Sequence, residues 1–158
     1  MINMKQIGHK VMPLYKPPTQ LFAKLDNRLQ GYSGNLVFIY GTLKQGCRNH
    51  DKLKGAKFIG RAQTATEYSM YSYADQFPYL TQRPSLNMHK VYGELYEVDD
   101  ALLGELDTFE GVEDDFYYRD NVNVTLLPEN NVVSAYVYFM NNTVNPVIPI
   151  DLWEERDE

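Results

Sequence analysis

The sequence predicts an α+β protein in which a barrel or strongly curved sheet carries the core and helices are few. Three observations lead there. From Leu36 onward, six segments are β-branched or aromatic and partly alternate, the period-two pattern of half-buried strands. One segment alone has a convincing helical period. Thirteen tyrosines accompany a single tryptophan, and tyrosine fits pleated, half-buried sheet surfaces.

The 158 residues suit one domain with its own core. Residues 1–35 read as an N-terminal extension and 36–158 as the domain. The extension contains "MPLYKPPTQ", whose adjacent Pro17 and Pro18 disfavour regular structure. After it, "TQLFAKLDNRL" has the spacing of one short amphipathic helix through Leu21, Lys24, Leu25 and Leu29. The first strand is "LVFI", Leu36 to Ile39, and a glycine-bounded turn follows it. A short helix is expected after Gly46, with Asn49 near its start. The next strands are "AKFIGRAQT", "EYSMYSY", "KVYGELYEV", "FYYRDNVNVTLL" and "VVSAYVYFM". "PEN" and Asn131 separate the last two as a hairpin turn. The convincing helix is "DDALLGELDTFEG". Asp99 or Asp100 can cap its start, Leu102, Leu103, Leu106 and Phe109 share one face, and Gly111 stands where a C-terminal cap belongs.

Charge and composition exclude several classes. The formal net charge is −6, which argues against nucleic acid as the main partner. Residues 1–35 carry +4, which leaves −10 on the remainder. Cys47 is the single cysteine, so neither an internal disulfide nor a multi-cysteine metal site can form. His9, His50 and His89 are too scattered for a metal cluster by spacing. No apolar run approaches the roughly 20 residues of a membrane span. The N-terminus lacks the apolar core of a secretory signal, so a cytoplasmic location is expected and the Asn123 and Asn141 sequons carry no meaning.

Chemistry can sit first in "YGTLKQGCRNH", Tyr40 to His50. Gly41 and Gly46 have the spacing of the glycines in a phosphate-binding P-loop. That motif continues with Lys and then Ser or Thr, whereas Cys47 and Arg48 stand here, which argues against nucleotide binding. What remains is a strand end followed by a residue without Cβ, where free N–H groups can cradle an anion, carboxylates included. A plain strand-to-helix turn fits the same spacing. Glu110 lies just past the last turn of the Leu102–Phe109 helix. A carboxyl held at the negative end of a helix and partly desolvated has a raised pKa, as a proton shuttle near neutral pH requires. The bland alternative is a solvated acid at a helix end. Glu94, Glu105 and Asp107 compete with it, and Glu113, Asp114 and Asp115 read as a solvated run. His50 reads as a structural hydrogen-bonder. Cys47 would need a nearby base such as His50 to act as a nucleophile. Tyr117, Tyr118 and Arg119 can recognise a polar ligand or form an ordinary sheet surface.

Together these stretches resemble the γ-glutamylcyclotransferase family, and most its γ-glutamylamine cyclotransferase branch. "LVFIYGTLKQGCRNH" resembles the branch's opening strand and Y-G-[ST]-[LN] turn. "VYGELYEVDDALLGELDTFEG" resembles its G-E-[LV]-Y strand and the helix ending in D-x-x-E. "FPYL" (77–80) resembles the pocket wall, and "FYYR" the strand entered a few residues after the acid. The likeness covers roughly residues 36–140 and, weakly, the tail with Trp153. It implies a small mixed β-barrel, closed or nearly closed, with flanking short helices. It also implies a reaction in which the α-amine of a γ-glutamyl amide attacks its own γ-carbonyl, releasing 5-oxoproline and a free amine. Carried over residue by residue, Tyr40, Gly41, Thr42 and Leu43 bind the glutamyl group, Glu110 is the acid/base, and Tyr117 is a pocket residue. The implied partner is a small γ-glutamyl substrate, with no cofactor, no metal, no nucleic acid and no membrane. Lys44 adds positive potential to the loop or is simply solvated. The 35-residue extension and the acidic "GVEDDFYY" after Glu110 depart from the family, and an acidic rim would favour a cationic leaving amine such as a polyamine or a lysine side chain. A non-catalytic binding module on the same fold is the alternative.

Overall fold

The computed structural model describes residues 27–29, 34–74, 76–141 and 147–155. Its strands, in chain order, are β1 (Asn35–Ile39), β2 (Lys57–Thr64), β3 (Tyr68–Tyr73), β4 (Phe77–Thr81), β5 (Met88–His89), β6 (Tyr92–Val98), β7 (Tyr117–Leu126), β8 (Asn131–Met140) and β9 (Val147–Pro149). One α-helix, α1 (Asp100–Phe109), follows β6. Five strands close a barrel in the order β1-β6-β2-β7-β8. β1 pairs antiparallel with β6 and parallel with β8, so the barrel is mixed. A smaller sheet runs β4-β3-β5, with β9 also on β3. Among the described residues no helix is long and apolar enough to cross a membrane.

β1 is a continuous apolar run because both of its faces are buried. Leu36 and Phe38 face the barrel interior with Leu95, Val124, Leu126 and Phe139. Val37 and Ile39 face a second core with Leu102, Leu103 and Leu106 of α1. The helix begins as expected: Asp99 is the N-cap, its carboxylate accepting from Leu102 N–H at 2.7 Å. It ends at Gly111, whose φ of 68° only glycine adopts at little cost. Phe109 departs from the buried stripe and is 39% exposed. The Lys52 ammonium lies 4.8 Å from its ring centroid, a cation–π contact at the surface.

Other differences from the sequence reading have local causes. "FPYL" forms most of strand β4, which tolerates Pro78 because β4 is an edge strand bonded to β3 alone. The helix expected after Gly46 is a 3-10 turn, His50–Leu53. Asn49 precedes it without a side-chain cap, because its amide donates to Thr42 Oγ1 at 3.0 Å instead. Of the amphipathic helix expected over 19–29, residues 19–26 lie outside the described residues, and Asn27–Leu29 is a 3-10 turn. Leu29 is buried in the barrel core, while Arg28 donates to Leu127 O at 2.7 Å and pairs with Glu129. The β7–β8 hairpin turns as expected, with Asn130 at φ 64°.

Barrel closure brings backbone against glycine at one position in particular. A Cβ on Gly93 would stand 2.3 Å from Ile39 O and 2.7 Å from a ring carbon of Phe38. The Gly93→Ala variant is therefore expected to lose about 1–3 kcal/mol or more in urea unfolding. Gly104→Ala, where a Cβ meets nothing within 4 Å on the exposed face of α1, is expected to gain up to about 1 kcal/mol.

Candidate active site

The loop after β1 is fixed from three directions. Gly46 supplies its left-handed turn, with φ 81°. Gly41 supplies room rather than a special φ: a Cβ there would stand 2.8 Å from Pro78 Cγ of β4. Within the loop, Lys44 N–H donates to Gly41 O, and Asn49 N–H to Thr42 O. Across to the barrel, Glu94 accepts from Gln45 N–H at 2.8 Å and from the Tyr96 hydroxyl at 3.0 Å. From the C-terminal segment, Trp153 O accepts from the Lys44 ammonium at 2.5 Å, and Glu155 pairs with Arg48 at 3.1 Å. Arg48 also donates to Gln76 O. Among the described residues, the N–H groups of Gly41, Thr42 and Leu43 reach no acceptor. A run of free amides at a strand end is the makings of an anion cradle.

A cavity of about 200 Å³ adjoins this loop. Tyr40, Gly41, Thr42, Leu43, Glu110 and Tyr117 all line it, so the residues separated by some seventy positions in sequence meet around one space. Glu110 forms the C-cap of α1, its N–H bonded to Leu106 O at 2.9 Å. Burial pushes its carboxyl up to about 7. Three phenols share the space. Tyr40 donates to Tyr138 O at 2.7 Å and accepts from Leu80 N–H at 3.3 Å. Tyr117 donates to Pro78 O at 3.0 Å, and Tyr138 to Asp107 Oδ1 at 2.7 Å. Asp107 is held in turn by Arg119 at 3.1 Å. Burial raises the pKa of all three phenols, and the Glu110 charge raises each further, so they stay neutral donors.

The remaining candidates fall outside the cavity. Lys44 is turned to the C-terminal segment and lines nothing. The Cys47 thiol packs against the barrel core, and burial raises its pKa, the opposite of an activated nucleophile. The His50 ring bonds Leu43 O at 2.9 Å. Glu94 is spent on holding the loop. Tyr118 accepts from Gln82 at 3.1 Å away from the site. Glu105, Glu113, Asp114 and Asp115 are exposed, and none lines the cavity. Among the described residues no group of His, Cys, Asp and Glu could hold a metal ion. The sequence reading missed Asn49, Tyr138, Arg48 and the rings Phe109 and Phe116 as lining residues. Tyr138 lies in the mostly apolar strand β8, with no local signal.

The raised Glu110 pKa has a stability consequence. Its folded value, about 7, lies above the model-peptide value of 4.5, so the folded state holds a proton that the unfolded chain gives up. The stability linked to that proton is complete below pH about 4.5 and is lost as pH rises through about 7. Relative to Glu110→Gln, the parent protein is expected to lose on the order of 3 kcal/mol across that window, read from urea midpoints at several pH values.

Comparison with known proteins fits this geometry. The family described as "Gamma-glutamyl cyclotransferase, AIG2-like" matches residues 37–155. A gamma-glutamylaminecyclotransferase from Bos taurus is 40% identical over 114 residues, 67% of this chain and 67% of that protein. Gamma-glutamylaminecyclotransferase A of Danio rerio is 35% identical over 116 residues, 70% of this chain and 71% of its own. The crystal structure of an AIG2-like protein from Mus musculus superposes with a TM-score of 0.68 at 28% identity, covering 76% of this chain and 88% of that one. The matched span holds most of β1, the amide loop, Glu110 and the barrel around them, and the chain belongs to the gamma-glutamyl cyclotransferase, AIG2-like family.

Proposed function

We propose that this protein is a γ-glutamyl cyclotransferase that releases 5-oxoproline and a free amine from a γ-glutamyl amine or related γ-glutamyl amide, with Glu110 as general acid/base. One observation carries the reading: a buried carboxyl with a pKa near 7 shares a 200 Å³ cavity with the unpaired amides of Gly41, Thr42 and Leu43. The names of the Bos taurus and Danio rerio relatives support it.

In this reading the α-carboxylate of the substrate rests on the loop amides. Glu110 accepts a proton from the α-ammonium. The freed amine attacks the γ-carbonyl, forming a five-membered ring through a tetrahedral centre. The C–N bond to the leaving amine then breaks as Glu110 returns the proton to that nitrogen, and the surplus proton on the ring nitrogen passes to water, so that 5-oxoproline keeps one N–H. The ring closure is intramolecular, and well-oriented intramolecular attacks have effective molarities of about 10⁵–10⁸ M. Positioning and proton transfer are therefore the tasks left to the protein. Tyr40 and Tyr117 wall the space around the substrate, and their neutral hydroxyls keep a second negative charge away from Glu110.

A screen of γ-glutamyl amines and dipeptides, scored by 5-oxoproline release, identifies turnover. Glu110→Gln is expected to fold and to lower kcat by about 10²–10⁴-fold. The parent kcat/KM rises with pH to a plateau above about 7 as Glu110 deprotonates, and the variant lacks this limb. A variant as active as the parent would sink the assignment.

A further inference from the structure

The cavity is lined by two unlike sets of groups. One is polar: the loop amides, Thr42, Asn49, Glu110 and the Tyr138 hydroxyl. The other is aromatic. Phe116 is 45% exposed and Phe109 39% exposed, and both line the cavity together with Phe77. The rings are continuous: Phe116 lies 5.2 Å from Tyr117 and 6.0 Å from Phe77, both edge-on, and Phe77 stacks on Tyr73 at 5.3 Å. Large apolar rings left exposed in a group beside a cavity mark a surface that an apolar partner covers.

The charges around the same opening point the same way. The charged side chains that line the cavity are Glu110 and Arg48. Arg48 is a cation, and its pairing with Glu155 offers no anion to the cavity. The acidic run at Glu113, Asp114 and Asp115 is exposed and contributes no lining residue, so Glu110 is the one carboxylate in the cavity lining.

We infer that the leaving amine is apolar, an aralkyl amine whose ring packs on the ledge formed by Phe77, Phe109 and Phe116. This rests on the cyclotransferase reading above, because it follows from where the glutamyl head sits. With the α-carboxylate on the loop amides and the α-nitrogen facing Glu110, the head takes up the polar groups. The substituent on the γ-nitrogen is then left the part-exposed rings. Burying a phenyl ring there favours an aralkyl amide over a short alkyl one, while a terminal ammonium meets the rings together with two cations, Arg48 and the Lys52 ammonium over Phe109.

The test compares three amides with the full chain: γ-glutamyl benzylamide, γ-glutamyl ethylamide and the mono-γ-glutamyl derivative of putrescine. The readout is kcat/KM for 5-oxoproline release. The benzylamide is expected to exceed the ethylamide by about tenfold, in the range that a few buried carbons provide, with the putrescine derivative lowest. Phe116→Ala and Phe109→Ala are both exposed truncations, and each is expected to bring the benzylamide-to-ethylamide ratio down towards one. Equal rates for the three amides, a preference for the putrescine derivative, or ratios unmoved in both variants would overturn the inference while leaving the cyclotransferase reading standing. Release of 5-oxoproline from none of them would overturn both.

Discussion

Closure of the barrel through β1 is the constraint on which the rest of this structure depends. β1 is bonded on both edges, to β6 and to β8, and buried on both faces, by the barrel interior and by α1. A strand so confined has no freedom of register, because a slip of one residue would exchange its two buried faces. The chain leaves it at Tyr40, whose hydroxyl is locked between β8 and β4. The loop amides therefore start from a fixed point, and Gly41 can lie against Pro78 only because that point does not move.

The electrostatics follow from the same confinement. Glu110 caps the helix that covers β1, so the burial that stabilises the second core also strips water from its carboxyl. Among the described residues Glu110 makes no ion pair: Arg119 is committed to Asp107, and Arg48, which lines the same cavity, to Glu155. The result is a carboxyl near neutrality among neutral phenols, at a cost in stability that rises with pH. Such a group changes its protonation state near neutral pH.

The C-terminal segment adds a tie between distant parts. Trp153 is buried, its carbonyl takes the Lys44 ammonium, and Glu155 takes Arg48. Both loop cations are thereby held from the far end of the chain, Lys44 by a neutral carbonyl and Arg48 by a carboxylate. The cavity keeps Arg48 and Glu110 as its charged lining residues, beside the loop amides and a set of aromatic rings.

By itself, the sequence determined the elements whose signals are local. Asp99 and Gly111 bound α1, the turn at "PEN" joins β7 to β8, and the alternating aromatic runs are strands because these patterns depend on neighbours in the chain. It also identified the family, through the pairing of "YGTLK" with "LDTFEG". The tertiary structure alone decided the rest. It made "FPYL" an edge strand, since whether a proline is tolerated depends on which edge is left unpaired. It turned Phe109 outward, placed Tyr138 and Arg48 at the cavity, and withdrew Lys44 and the acidic run from it. Those outcomes depend on contacts between residues tens to more than a hundred positions apart, such as Lys44 with Trp153 and Arg48 with Glu155, and no local pattern of side chains encodes which distant partner each one meets.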